Sequence, residues 1–185
     1  MDRLQRRGPD TRPGDKPRSN GRRRHPLAVA ALALLFTSSP TMAEPPFIDH
    51  QEIPCSLPEA HSRVCATIAD DGTVRRAKLF FRAAGQTAWY WTEMAFDLSQ
   101  FCATLPKPDD DVEAIEYYLW AMDDEFETER TRDQQVDLDR GCPHPVIDDD
   151  AERTANLEVH ATIKKQRKKL RGFALDGVTF HPVSR

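Results

Sequence analysis

The residues best suited to chemistry are the four cysteines of the chain, Cys55, Cys65, Cys102 and Cys142. An even number of cysteines is typical of disulfide pairs in an oxidising compartment. Cys55, His61 and Cys65 offer atoms that could bind zinc, but their spacing matches no established zinc motif. The sequence therefore favours two disulfide bonds over a metal centre.

Histidines and acidic runs are the remaining candidates for chemistry. His160 and His181 lie in two segments that alternate like strands, so they approach one another only if those segments pair. Two histidines without a third ligand make a weak metal site. The aspartate runs 109–111 and 148–150 lack the alternating ligands and the glycine of a calcium loop. We predict no metal, no cofactor and no enzymatic activity; metal binding or hydrolysis by scattered acids and histidines is a remote alternative.

The first 43 residues have the composition of an export signal. Residues 1–24 are rich in arginine, residues 27–36 are apolar, and a small, turn-prone segment ends at Ala43. The apolar run is shorter than the roughly 20 residues that a membrane-spanning helix needs. The sequence therefore predicts a signal peptide and a periplasmic or secreted protein. An uncleaved N-terminal anchor is the alternative, and it is the only predicted link to a membrane.

Charge is distributed unevenly along the chain. The first 43 residues hold nine basic and three acidic residues, which leaves 17 basic and 27 acidic residues and a formal net charge near −10 for the remainder. Nucleic-acid binding needs a positive surface, so this balance argues against a nucleic-acid partner.

One short basic run, at residues 164–171, opposes this acidic background. It is either a solvated turn between two strands or a contact for an anionic partner, such as a phosphorylated envelope polymer or a lipid surface. The candidate anion-binding residues are Lys164, Lys165, Arg167, Lys168, Lys169 and Arg171.

The elements that position these residues are predicted to be strands. From residue 63 to residue 138, short alternating segments are separated by turn signals, a pattern typical of an all-β sandwich or barrel. A hairpin-like turn is predicted at residues 70–72, and a loop through Asp97 and Ser99. The predicted strands are 64–68, 74–82, 89–94, 101–105 and 115–123, a last strand broken between 127–131 and 135–138, and an edge strand within 47–53.

Beyond this region the composition changes twice. Residues 144–156 are acidic and lack an apolar stripe, so they are predicted to be a linker. Residues 157–185 contain two further alternating segments and are predicted to form a short, hairpin-like C-terminal extension. The predicted sandwich is therefore residues 44–143, with the signal before it and the linker and extension after it.

Two motifs carry a family resemblance. Phe101-x-Ala103-x-Leu105-Pro106 is followed by Glu116-Tyr117-Tyr118-x-x-Ala121-x-Asp123. With the upstream strand at 77–82, these residues resemble the immunoglobulin or fibronectin type III-like modules of exported bacterial proteins. The resemblance covers residues 47–142 and implies an antiparallel β-sandwich. It specifies a fold and no ligand.

Alternation assigns the strand faces in such a fold, because successive side chains point to opposite sides. The apolar sets around Leu79, Met94 and Leu119 are predicted to face the core. The opposite face then carries every tryptophan of the chain, and large aromatic patches often mark interaction sites. This predicted aromatic face consists of Phe80, Trp89, Trp91, Tyr118, Trp120 and Met122. Alternatively, the C-terminal strands cover it, or a one-residue register error exchanges the faces.

The same fold suggests how the cysteines pair. Cys65 and Cys102 face outward from strands that are neighbours in the resembling modules, which favours a cross-strand bond. Cys55 and Cys142 would then join the two ends of the sandwich. A short Cys55–Cys65 loop is the competing arrangement.

These features lead to a functional hypothesis. The chain is predicted to be a non-enzymatic interaction module that binds a protein or glycan of the cell envelope through its aromatic face. The alternative is a purely structural envelope domain whose C-terminal tail packs on that face.

Overall fold

The structure, a computed structural model, describes residues 44–143, 157–163 and 170–183. In these ranges the regular elements are all strands, so the predicted all-β class is confirmed. No helix within them could cross a membrane. The predicted signal (1–43), the acidic linker (144–156) and basic residues 164–169 lie outside the described residues.

Eleven strands are present in the described ranges. Their bounds are β1 Phe47–Asp49, β2 Ser62–Ala69, β3 Val74–Ala83, β4 Tyr90–Glu93, β5 Ala95–Asp97, β6 Gln100–Leu105, β7 Ala114–Asp123, β8 Thr128–Arg130, β9 Gln134–Asp137, β10 Leu157–Ala161 and β11 Val178–His181.

The strands form two sheets that pack together as a β-sandwich. One sheet has the order β1-β2-β6-β5, and the other has the order β11-β10-β4-β3-β7-β8, with β9 also paired to β7. Every pair of strands is antiparallel except β10 and β11, which are parallel.

The core lies between the sheets and follows the predicted alternation. In β7, Tyr117, Leu119 and Ala121 are buried, while the residues between them are half-buried on the outer side. Strand β2 repeats the pattern, with Val64 and Ala66 buried. Alternation with period two is what a sheet with one face on a core requires. The predicted core faces of these strands are therefore confirmed.

A polar contact also crosses the sandwich interior. His50, just after β1, places Nδ1 2.8 Å from the carbonyl oxygen of Cys65 and Nε2 2.9 Å from the hydroxyl of Tyr117. The carbonyl can only accept, so Nδ1 carries the proton and Nε2 accepts from Tyr117. The same hydroxyl accepts from the backbone N–H of Ile53 at 3.3 Å. The pKa of Tyr117 is raised to about 12, mainly by burial; the Ile53 hydrogen bond opposes the shift and the charge of Glu52 adds to it.

Both predicted disulfides are present. Cys65 and Cys102 are directly paired residues of β2 and β6, and Cys55 is bonded to Cys142 across 87 positions of sequence. This arrangement excludes the Cys55–Cys65 loop and also a zinc site that uses those thiols. The two bonds indicate an oxidising compartment outside the cytoplasm.

The C-terminal extension is not a hairpin, so that prediction was wrong. Strands β10 and β11 run parallel, and a parallel pair requires a crossover instead of a tight turn. Between the two strands, Leu170 and Phe173 are buried in the core. Phe173 also meets Phe81 edge to face at 5.2 Å. The tail therefore contributes to the core as well as to the sheet.

Two local predictions also need correction. Residues 70–72 do not form a hairpin, because β2 and β3 belong to different sheets and this turn carries the chain between them. The loop predicted through Asp97 contains the short strand β5, which pairs with β6. Turn-forming residues indicate only that the chain reverses direction. A hairpin and a connection between two sheets both need that reversal, so these residues do not distinguish the two.

Candidate functional site

The candidate site is the outer face of the larger sheet. Strands β4, β3 and β7 are adjacent there, and their outward residues are the predicted ones. The six side chains of the predicted aromatic face, Phe80, Trp89, Trp91, Tyr118, Trp120 and Met122, are all half-buried. Half-burial leaves part of each side chain accessible.

Strand register aligns some of these residues in a single line across the sheet. Tyr118 is directly opposite Phe80, and Phe80 is opposite Trp91. The line continues onto the tail, where His160 is opposite Trp91 and His181 is opposite His160. We call these five residues of β7, β3, β4, β10 and β11 the aromatic row.

The rings of the aromatic row stack on one another. Tyr118 and Phe80 are nearly parallel with centroids 4.6 Å apart, and Trp91 and His160 are nearly parallel at 4.0 Å. His181 stacks on His160 at 4.5 Å, whereas Phe80 and Trp91 are tilted at 6.5 Å. Parallel rings this close must lie face to face, because coplanar rings would overlap. The stacked rings therefore stand on the sheet and present their edges to solvent.

Cations occupy other ring faces. The guanidinium carbon of Arg130 lies 3.9 Å from the ring centroid of Tyr118, and that of Arg82 lies 4.2 Å from Trp89. Lys78 Nζ lies 3.6 Å from the Trp91 centroid. Each distance is within the range of a cation–π interaction. The cations therefore lie against ring faces that stacking leaves free.

Lys78 lies beside the aromatic row without an acidic partner among the described residues. Arg82 pairs with Glu116 and Arg130 pairs with Asp133. In the part of the chain that the structure describes, no carboxylate oxygen lies within 4.0 Å of the Lys78 ammonium. Burial lowers the pKa of Lys78, Glu93 on the paired strand raises it, and Arg76 lowers it again.

The remaining predicted residues lie at the margins of the aromatic row. Trp89, just before β4, meets Tyr118 edge to face at 4.9 Å. Trp120 is two residues from Tyr118 and has Lys78 5.5 Å from its ring centroid. Met122 is further along β7, opposite Arg76 and Thr128, and joins no ring contact. All six are on one face, but only Phe80, Trp91 and Tyr118 belong to the row.

Tyr118 shows the electrostatic character of the face. Burial raises the pKa of its hydroxyl, the neighbouring Arg130 lowers it, and Asp133 raises it. The hydroxyl therefore remains protonated at neutral pH and can donate a hydrogen bond to a partner.

Strands β10 and β11 of the tail extend this face at the edge of the sheet. Strand β10 pairs with the edge of β4, so His160 and His181 continue the row. The sequence indicated that the two histidines would meet if their segments paired. The sequence did not indicate that Trp91 would contact the two histidines, because the pairing of β10 with β4 connects residues that are distant in sequence.

The candidate anion-binding run is described only at its end. Of its six residues, Arg171 alone lies in the described ranges; it is exposed, and its backbone N–H donates to the hydroxyl of Tyr90 at 2.9 Å. Lys164, Lys165, Arg167, Lys168 and Lys169 lie outside the described residues.

Comparison with models of protein families gives no match, and comparison with curated proteins gives no significant relative.

Proposed function

We propose that this chain is a non-enzymatic interaction module, periplasmic or secreted, that binds a protein partner through its aromatic face. The observation that carries the proposal is the aromatic row itself, a stack of half-buried rings with Lys78 beside it. Tryptophan and tyrosine are among the residues that contribute most to protein interfaces. The two disulfides fit an exported protein.

The ring geometry favours a protein over a glycan. Sugars stack on exposed ring faces, but here Phe80, Tyr118 and Trp91 turn their faces to each other, to His160 or to cations. Ring edges carry the positive part of the quadrupole. Together with the Lys78 ammonium, they suit the carboxylates and carbonyl oxygens of an acidic protein surface. The proposed partner is therefore a protein, and glycan binding is an alternative result that the experiments below can detect.

Strand order supports an immunoglobulin or fibronectin type III-like module. The sheets β1-β2-β6-β5 and β4-β3-β7-β8 follow the arrangement in which strands A, B, E and D oppose strands C, F and G. In such modules a rigid sandwich presents binding surfaces, and the residues of the surface determine the partner.

A first experiment asks whether the face is accessible. All three tryptophans, Trp89, Trp91 and Trp120, lie on it, so intrinsic fluorescence reports on this face alone. We expect emission from the oxidised full chain to be red-shifted and readily quenched by acrylamide. Blue emission that resists quenching would show the face to be covered and would contradict the proposal.

A second experiment identifies and tests the partner. A photo-crosslinking amino acid at Trp120 is compared with one at Phe96, an aromatic residue 64% exposed on the other sheet. We expect a protein to be captured from position 120 and not from position 96. With that protein purified, Trp120→Ala and Lys78→Glu should each weaken binding by about tenfold or more, because truncation of a hot-spot tryptophan costs about 2 kcal/mol or more and the reversed charge repels an acidic partner.

The Phe96→Ala variant is the matched control and should bind normally. Unchanged affinity in both Trp120→Ala and Lys78→Glu would exclude the aromatic face. Tight binding of an oligosaccharide that is lost in Trp120→Ala would replace the protein partner with a glycan.

A further inference from the structure

A cluster of potential metal ligands lies at the tail end of the aromatic row. His160 on β10 is directly opposite His181 on β11. Glu158 precedes His160 by two residues, so both side chains project from the same face of β10. One ligand atom from each of the three residues can be chosen so that all lie within 4.8 Å of one another.

This set is well suited to a divalent transition metal. Imidazole nitrogen and carboxylate oxygen bind zinc at about 2.0–2.2 Å, and two histidines with one glutamate form a known three-ligand set. Two such bonds at a tetrahedral angle place the donor atoms about 3.3 Å apart. Rotation of the exposed Glu158 and a tilt of the two rings would close the remaining gap. The fourth position would then be open to water or another ligand.

An unpartnered nitrogen gives independent support. The Nε2 atom of His181 is buried and has no hydrogen-bond partner among the described residues. Buried side-chain nitrogen and oxygen atoms nearly always have a partner, so such an atom indicates a missing water or ion. Its neighbour across the strand pair is the ring of His160, 4.5 Å away between centroids. A shared metal ion would satisfy this nitrogen.

Packing also restrains one ligand of the cluster. The indole of Trp91 lies against His160 at 4.0 Å between ring centroids and fixes that ring in place.

We propose that Glu158, His160 and His181 bind one divalent transition-metal ion, with zinc as the best fit, and that the ion ties the edge strand β11 to β10. This site revises the prediction from sequence that the chain holds no metal, because the structure supplies the third ligand that the two histidines lacked. It does not depend on the aromatic face having a protein partner.

The direct test is zinc titration of the oxidised, untagged full chain by calorimetry after treatment with a chelator. We expect one equivalent of zinc to bind. His160→Ala and His181→Ala should each weaken binding by at least about tenfold, and Glu158→Gln should weaken it less, since an exposed carboxylate is replaceable by water. His144→Ala, which removes a histidine that is not a proposed ligand, should bind zinc as the unmodified chain does.

Cobalt provides a second readout, because its visible spectrum reports coordination number and ligand type. A four-coordinate spectrum that disappears in His181→Ala would support the site. Unchanged zinc affinity in His160→Ala or His181→Ala, or binding lost only in His144→Ala, would overturn the proposal.

Chemical protection covers the case in which a histidine variant fails to fold. In the unmodified chain, saturating zinc should slow the reaction of diethyl pyrocarbonate with His160 and His181 and leave His144 unaffected. Equal reactivity of His160 and His181 with and without zinc would overturn the site without the need for any variant.

Discussion

Removing the bond between Cys55 and Cys142 should destabilise the protein strongly. The bond joins positions 87 apart, and the chain-entropy relation assigns such a loop about 4.6 kcal/mol. Because the inner Cys65–Cys102 bond shortens the path by spanning 37 positions, we expect about 4.1 kcal/mol in its presence. Domains of this size are stable by only about 5–15 kcal/mol in total.

The folded geometry should survive the loss of this bond. Ser56, next to Cys55, donates its N–H to the carbonyl of Asp137 at 3.0 Å and accepts from the N–H of Asp139 at 2.8 Å. These hydrogen bonds keep the ends of the sandwich together in the native state. The destabilisation should therefore come from the greater freedom of the unfolded chain.

The assay is urea unfolding of a Cys55→Ala/Cys142→Ala variant, followed by tryptophan fluorescence. With an m-value of about 2 kcal/mol/M, a loss of about 4 kcal/mol moves the midpoint down by about 2 M. The Cys65–Cys102 bond closes a shorter loop, so a Cys65→Ala/Cys102→Ala variant that keeps the Cys55–Cys142 bond should lose about 3.4 kcal/mol. A loss below about 1.5 kcal/mol for the Cys55/Cys142 variant would refute the loop-entropy reasoning.

Three further predictions concern the core. The pKa of Tyr117 is raised to about 12 in the folded protein. Its contribution to the free energy of unfolding should therefore be complete below pH 10 and fall as the pH rises towards 12. In urea unfolding across this range, Tyr117→Phe should lose less stability than the unmodified chain. Gly172→Ala should destabilise the protein by about 2 kcal/mol or more in urea unfolding. Gly172 has a φ of +80°, and an added Cβ would lie 2.6 Å from the Cβ of Ala83. Unchanged stability in this variant would contradict the close contact. Phe173→Ala should lower the free energy of unfolding by about 3–5 kcal/mol in the same measurement. Leu175, which is 51% exposed, is the control, and Leu175→Ala should change stability by less than about 0.5 kcal/mol. Equal effects of the two substitutions would mean that the tail does not pack into the core.

The sequence predicted the strands and their faces because both follow from period-two alternation. Leu79 and Leu119 are buried and Phe80 and Tyr118 face outward, as alternation requires. The Cys65–Cys102 pairing followed from outward positions on strands that the resemblance made neighbours. These inferences are local, or they rest on one assumption about the fold.

The missed features depend on contacts between distant parts of the chain. Nothing in the residues around His160 indicates that β10 will pair with β4, so the stack on Trp91 was unpredictable. The sequence allowed the C-terminal tail to cover the outer face, yet Phe173 of that tail is buried in the core. Strand β5, at Ala95–Asp97, is too short for alternation to distinguish it from a loop.

The Cys55–Cys142 bond also determines how the protein would respond to mechanical force. A load applied between the two ends of the chain enters at Cys55 and leaves at Cys142 through the sulfur atoms, so the strands between them bear no tension. The parts that can yield lie outside this loop: β1 on one side, and β10 with β11 on the other. Under tension the chain should therefore lengthen first at its margins, while β3, β4 and β7 keep their shape and continue to present Trp91 and Tyr118.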